Sequence, residues 1–251
     1  SEKIVQRNGQ ILLRRGFDFR YPSYTQQFIP MVEQLGGKLV SDDGKTGVIG
    51  DEAWLQFFEY MREWGPHGKD LGGPTYTAAR SVFDLDNNEI AMSESGLYQQ
   101  SRMNSVNPDF YNSDDWMVIP YPQWSNATQV SNGKIAAHYY VVNGQSAEAK
   151  QIWAWKLISF MLSHSEDYLE QVNLVQPTYE LFESEAFKNI PYSDVFAKDL
   201  ENATLTYFGS GSTAMNDKLK SAVEDVMLQG KDPKTVLESF RKDIQEIIDD
   251  I

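Results

Sequence analysis

The residues with the clearest chemical potential are aromatics and neutral amides outside the helical stripes. Tyr24, Tyr98, Trp124, Tyr139 and Tyr207 fall near loops or element ends, in the company of Gln26, Gln27, Gln99, Asn132, Gln176 and Asn216. A flat aromatic face meets the C–H face of a pyranose ring, and amides satisfy its hydroxyls without burying a charge. The same tyrosines would also sit half-buried on an ordinary protein surface, so composition alone leaves both readings open.

Other chemistries fit less well. Gly44-Lys45-Thr46 ends like a phosphate loop, but Leu39 stands where the first glycine belongs and the surrounding hairpin is too tight. Gly209-Ser210-Gly211-Ser212-Thr213-Ala214 spells a dinucleotide turn between a strand-like Leu205 to Phe208 and a helix. No βαβ unit ending in a ribose-binding acid follows, which leaves a hinge or helix-capping loop. Asp84, Asp86 and Asn88 begin like a calcium loop, but Glu89 replaces its glycine and Ser95 its closing glutamate. His67, His138 and His164 lack metal-ligand spacing, so neither a metal nor a cofactor is expected. The chain has no cysteine, which excludes disulfides, thiolate zinc sites and cysteine nucleophiles, and it has no GxSxG turn. With 36 acidic residues, paired carboxylates for glycoside hydrolysis stay open. The glycosylation spellings at Asn126 and Asn202 carry no meaning without a eukaryotic secretory context.

The elements that must position these residues are read from apolar spacing. Phe28, Met31, Val32 and Leu35 predict a helix within Tyr21 to Leu35, stopped by Gly36-Gly37. Lys38 to Val40 and Thr46 to Ile49 predict a hairpin around an Asp-Gly turn. Asp51 is expected to cap a helix whose Trp54, Phe57, Phe58, Met61 and Trp64 form a buried stripe ended by Gly65-Pro66. Thr75 to Phe83 predicts a helix and Glu89 to Glu94 a short strand. Trp116 to Pro120 and Lys134 to Val142 read as strands joined by a polar loop.

The remainder reads as helical. Ala149 to Leu162 carries apolar residues on most sides, which predicts a mostly buried helix. Leu219, Ala222, Val223, Val226 and Met227 form another stripe, ended by Gly230. Asp232-Pro233 opens a last helix with proline at its first position, turning Val236, Leu237, Phe240, Ile244 and Ile247 inward. The fold class is α/β with helix dominant.

The composition bounds the function. Apolar residues make up 41% and charged residues 23%, the profile of a globular chain. The longest apolar stretch, Ile152 to Leu162, is broken by Lys156 and Ser159 and is too short for a membrane span. A net charge of −14 argues against a nucleic-acid partner. Ser1 to Arg15 lacks the features of a signal peptide.

Word order then narrows the reading. Phe83-Asp-Leu-Asp-Asn-Asn-Glu-Ile-Ala-Met92, followed by Gly96-Leu-Tyr98, resembles a signature of family 1 of the extracellular solute-binding proteins of bacterial ABC importers, the family of maltose-binding protein. Leu35-Gly36-Gly37-Lys38-Leu39-Val40 with Asp43-Gly44-Lys45 is similar to its glycine-pair hairpin, and Val118-Ile119-Pro120-Tyr121-Pro122 to its strand-and-proline passage. Ser131-Asn132-Gly133, Gln176-Pro177-Thr178 and Gly230-Lys231-Asp232-Pro233 follow in the family's order, so the likeness runs from about Asn8 to Ile251.

The resemblance implies a periplasmic-binding-protein-like (type 2) fold, represented mainly by its second lobe, helix-rich with a small mixed sheet. Residues 1–140 and 205–251 would form that lobe, and 141–204 a return segment of a first lobe otherwise missing. The chain then reads as a carboxy-terminal piece, without signal, lipid anchor or most of lobe one. Implied function is non-catalytic capture of a carbohydrate between two lobes and delivery to an ABC permease, outside the cytoplasm, by a monomer. Carried over by position, Tyr98 is the ring-stacking aromatic, in place of the commoner tryptophan. Tyr24 and Gln26 lie in the helix start facing the cleft, Asn132 and Gly133 in the loop at its floor, and Tyr207 and Asn216 near the last crossover. Two other readings stay open: a carbohydrate-active enzyme, and a helical module whose acidic face meets a basic partner.

Overall fold

Alternating apolar stripes and glycine stops build the elements in the computed structural model, which describes residues 5–7, 10–12, 15–17, 25–69, 71, 90–92, 94–132, 140–176, 178–203 and 209–251. In chain order these are β1 (Val5–Arg7), β2 (Gln10–Leu12), β3 (Arg15–Phe17), α1 (Thr25–Gln34), β4 (Lys38–Val40), β5 (Gly47–Ile49), α2 (Asp51–Trp64), β6 (Ile90–Met92), α3 (Tyr98–Val106) and α4 (Pro108–Tyr111). They continue with α5 (Glu148–Leu162), α6 (Ser165–Val172), α7 (Tyr179–Glu183), α8 (Glu185–Lys188), α9 (Ser193–Leu200), α10 (Ser212–Met227) and α11 (Pro233–Asp249). The expected helix at 75–83, the strand-like stretches at 134–139 and 205–208, and the acidic loop from Asp84 to Asn88 lie outside the described residues.

The chain forms two compact units. The first comprises Ser1–Glu94, Tyr121–Ile135 and Asn202–Ile251. Its core joins Phe28, Ile29 and Val32 of α1 to Trp54, Phe57, Phe58 and Met61 of α2, and to the inward stripes of α10 and α11. Trp54 and Phe58 both pack on Phe240, with ring centroids 5.2 and 5.9 Å away, so the expected stripes of α2 and α11 meet through aromatic contacts. Burying each such side chain stabilises the unit by ~1.5–3 kcal/mol.

Among the described residues the strands form three pairs, β1–β2 and β4–β5 antiparallel and β3–β6 parallel, so small-sheet pairing of both senses is present as expected. The β4–β5 hairpin is the expected one, with Lys38 opposite Ile49 and Val40 opposite Gly47. Gly44 takes a φ of +73° in its turn. Hydrogen bonds from the Ser41 hydroxyl and the Lys45 N–H hold the Asp43 carboxyl below its usual range.

One capping expectation is corrected. The residue before α2 is Gly50, in a left-handed conformation with no side-chain cap, while Asp51 already lies inside the helix. A Cβ on Gly50 would come within 3.0 Å of the Gly37 Cα, so glycine is required there. Asp51 instead pairs with Arg241 of α11 and stands in the first turn, where negative charge favours the helix dipole. Asp232 does cap α11, accepting from the Thr235 N–H at 3.0 Å, with Pro233 following as expected.

The second unit comprises Ser95–Pro120 and Ala136–Glu201. Its core is small, built on Leu97, Leu169, Leu181 and Phe187. Two expectations fail here. The segment from Trp116 to Pro120 joins no strand among the described residues. Its Trp116 is held by its neighbours, donating from Nε1 to the Tyr111 carbonyl at 2.8 Å and packing between the Tyr111 and Tyr192 rings. The helix α5 forms as expected but is not buried: Trp153 is 68% and Phe160 61% exposed. Apolar periodicity marks a surface fit for burial, and among the described residues no element packs along it. No described helix is long and apolar enough to cross a membrane.

Candidate functional site

A polar network among the described residues of the first unit lies between α1 and the segment from Tyr121 to Asn132. Gln27 and Gln34 are seven residues apart, two helical turns, and therefore share one face of α1. Gln34 Nε2 donates to the Ser131 carbonyl at 2.8 Å and the Pro122 carbonyl at 3.1 Å, while its Oε1 accepts from the Trp124 N–H at 2.9 Å. Trp124 Nε1 donates to the Met31 carbonyl at 2.8 Å, and its ring stands edge-on to Tyr60. Trp124 is therefore a fastening residue. Burial of the Tyr60 hydroxyl, reinforced by the Glu63 charge, raises its pKa.

Gln123 ties the segment to itself. Its Nε2 donates to the Tyr121 and Ser131 carbonyls and, at 3.1 Å, to Asn132 Oδ1. The Ser131 hydroxyl donates to Glu33 Oε2 at 2.7 Å, and the Asn132 N–H to the Asn202 carbonyl at 3.4 Å. Asn132 is thus 5% exposed and held within the protein's own hydrogen bonds.

The other expected site residues are placed as follows. Asn216 lies in the first turns of α10 in the first unit, and its buried Oδ1 has no hydrogen-bond partner. Tyr98 is the first residue of α3 in the second unit, 50% exposed, with its ring against Gly96. A Cβ at position 96 would come within 2.8 Å of Tyr98 Cε1, so glycine lets the ring lie flat on the backbone. Gln26 is in α1, described by its backbone only, and Tyr24, Gly133 and Tyr207 lie outside the described residues.

Several amides singled out in the sequence share one property. Gln27 Oε1, Gln99 Nε2, Gln176 Oε1 and Asn216 Oδ1 are buried without a hydrogen-bond partner among the described residues, as is Gln100 Oε1. Each such atom costs about 1–3 kcal/mol of stability unless something meets it. Gln34 and Gln123 were not anticipated. Their one sequence signal is the seven-residue spacing of Gln27 and Gln34, and their partners lie up to 97 residues away. The two described histidines engage backbone carbonyls, His67 at Leu228 and His164 at Phe160, and His164 Nδ1 also meets the Ser163 hydroxyl at 3.1 Å. Among the described residues no group of acidic or histidine side chains is arranged to hold a metal ion.

The profile of the family described as bacterial extracellular solute-binding protein matches residues 6–191. The maltose/maltodextrin-binding domain MalE from Bdellovibrio bacteriovorus, bound to maltotriose, superposes with a TM-score of 0.77 at 20% identity, over 96% of this chain and 61% of that one. The sugar-binding protein MalE from Xanthomonas citri gives 0.75 at 14% identity, over 95% and 59%. The GacH receptor of Streptomyces glaucescens, solved unliganded and with acarbose, gives 0.72 at 15% identity, over 94% and 60%. The chain spans about three fifths of the length of these solved structures. No curated protein sequence matches it. These likenesses establish a periplasmic-binding-protein-like fold, and the match across residues 6–191 establishes that the chain belongs to the bacterial extracellular solute-binding proteins.

Proposed function

We propose that this chain belongs to the substrate-capturing component of an ABC importer, which holds a carbohydrate between two lobes and delivers it to a membrane permease without transforming it. Capture works by population shift: a ligand that touches both lobes only in the closed form selects that form. Residues 1–140 and 205–251 are assigned to one lobe and 141–204 to a segment of the other. The uncovered apolar face of α5 supports the second assignment, because its composition suits a covered helix. The protein acts outside the cytoplasm as a monomer.

The observation that carries the reading is a half-exposed Tyr98 at the start of α3, followed by Gln99 and Gln100, whose side chains each bury an amide atom with no hydrogen-bond partner among the described residues. Aromatic faces and neutral amides match sugar C–H faces and hydroxyls. Sugar-bound relatives of the same fold support the choice of ligand. Incubation with a panel of chromogenic glycosides tests the reading against its enzymatic rival. No release of chromophore is expected, and sustained turnover would replace the binding protein with a glycosidase.

A further inference from the structure

Three asparagines precede a glycine: Asn8, Asn132 and Asn143. The first lies outside the described residues, and the other two have opposite surroundings. Asn132 is 5% exposed; its Oδ1 accepts from Gln123 Nε2 at 3.1 Å and its N–H donates to the Asn202 carbonyl. Asn143 and Gly144 are both exposed, in the turn that leads into α5. A Cβ at position 144 would meet nothing within 4 Å, so the Gly144 backbone is open on that side. Asn143 Oδ1 accepts from the Gln145 N–H at 2.9 Å, which folds the side chain back along its own main chain. The ring closed by that hydrogen bond contains both the Asn143 Cγ and the Gly144 nitrogen. The turn is held by the Ser146 N–H on the Asn143 carbonyl at 3.1 Å, and by Gln151 Nε2 on the Gly144 and Ser146 carbonyls at 3.0 and 2.6 Å.

We propose that Asn143 is a self-modification site, where the Gly144 main-chain nitrogen displaces ammonia from the Asn143 carboxamide and leaves a succinimide, then an aspartyl or isoaspartyl residue. Hydroxide from solvent removes the Gly144 N–H proton, and the nitrogen forms its bond to Cγ. The negative charge that develops on Oδ1 is met by the Gln145 N–H already bonded there. Collapse of the adduct breaks the Cγ–Nδ2 bond; water protonates the leaving nitrogen, so ammonia departs and hydroxide is regenerated. Water then opens the imide at one carbonyl or the other. Glycine at 144 lets the peptide turn into attack with no Cβ in the way. Burial and the Gln123 hydrogen bond deny Asn132 the same path. Each event adds one negative charge to the turn, and the isoaspartyl product also lengthens the main chain by one carbon ahead of α5.

The test incubates the folded chain in mildly alkaline buffer and follows its tryptic peptides by mass spectrometry. Methyl transfer by a protein isoaspartate methyltransferase serves as the probe for the isoaspartyl product. Cleavage at Lys134 separates Asn132 from Asn143, and the peptide from Ile135 to Lys150 holds no other asparagine. Fragmentation locates Asn132 within its own peptide. Asn143 should convert at least about tenfold faster than Asn132 in the folded chain, and guanidinium chloride should bring the two rates together. Gly144→Ala, for which there is room, should slow conversion at Asn143 about tenfold and leave Tm unchanged. An Asn143 that stays unmodified, or an Asn132 that keeps pace with it in the folded chain, would overturn the assignment. So would a Gly144→Ala variant that converts as fast as the parent. A difference that persists in guanidinium chloride would place its source in the local sequence, and would overturn the protection assigned to Asn132.

Discussion

Gln34 accepts the backbone N–H of Trp124 at 2.9 Å and returns a hydrogen bond to the Ser131 carbonyl at 2.8 Å, so one buried side chain pins both ends of a chain segment to α1. Replacing it with methionine leaves the Trp124 N–H and the Ser131 and Pro122 carbonyls without that partner. The variant should lose at least ~2 kcal/mol of stability, read as a lower urea midpoint at unchanged m-value.

The crossing of α2 and α10 is similarly specific. Gly65 lies so close to the end of α10 that a Cβ there would sit 1.9 Å from the Met227 carbonyl oxygen. Gly65→Ala must push the two backbones apart and should cost ~3 kcal/mol, the upper end for an overpacked site. Urea unfolding of that single variant measures it.

The cap on α11 sets a pH dependence. Hydrogen bonds from the Thr235 N–H and hydroxyl hold the Asp232 carboxyl below its ordinary value of 3.8. A depressed folded value means the contribution is present above the ordinary value and is lost as pH falls through the folded one. Asp232→Ala should therefore lower Tm at neutral pH, and the gap between parent and variant should close on acidification below the carboxylate range. A gap independent of pH would show that the charge is immaterial to the cap.

The exposure of α5 predicts tolerance. Trp153→Gln and Phe160→Gln should each change the stability of this chain by no more than ~0.5 kcal/mol, the range for surface positions. Losses typical of a buried aromatic would show the helix to be covered.

How much of this was legible in the sequence depends on the range of the interaction. The helices α1, α2, α10 and α11 and the β4–β5 hairpin follow from apolar spacing and from glycines such as Gly36 and Gly44, whose effects are local. The helix α5 was found but its exposure was not, because spacing describes a face and says nothing of what lies opposite. Asp51 has the composition of a cap, yet the left-handed Gly50 takes that position and Asp51 is the first helical residue. The amide network was illegible for the same reason: Gln34 and Ser131 are 97 positions apart. Of the expected site, Tyr98 stands half-exposed, whereas Asn132, expected at the cleft floor, is bonded to Gln123.

Isothermal titration with maltotriose of the two-lobed protein proposed above, as the parent, and of its Tyr98→Ala variant addresses the central claim most directly. Saturable binding by the parent, weakened about tenfold or more in the variant, is the expected result for an aromatic that stacks on a sugar ring. Superimposable isotherms for the two proteins would contradict it.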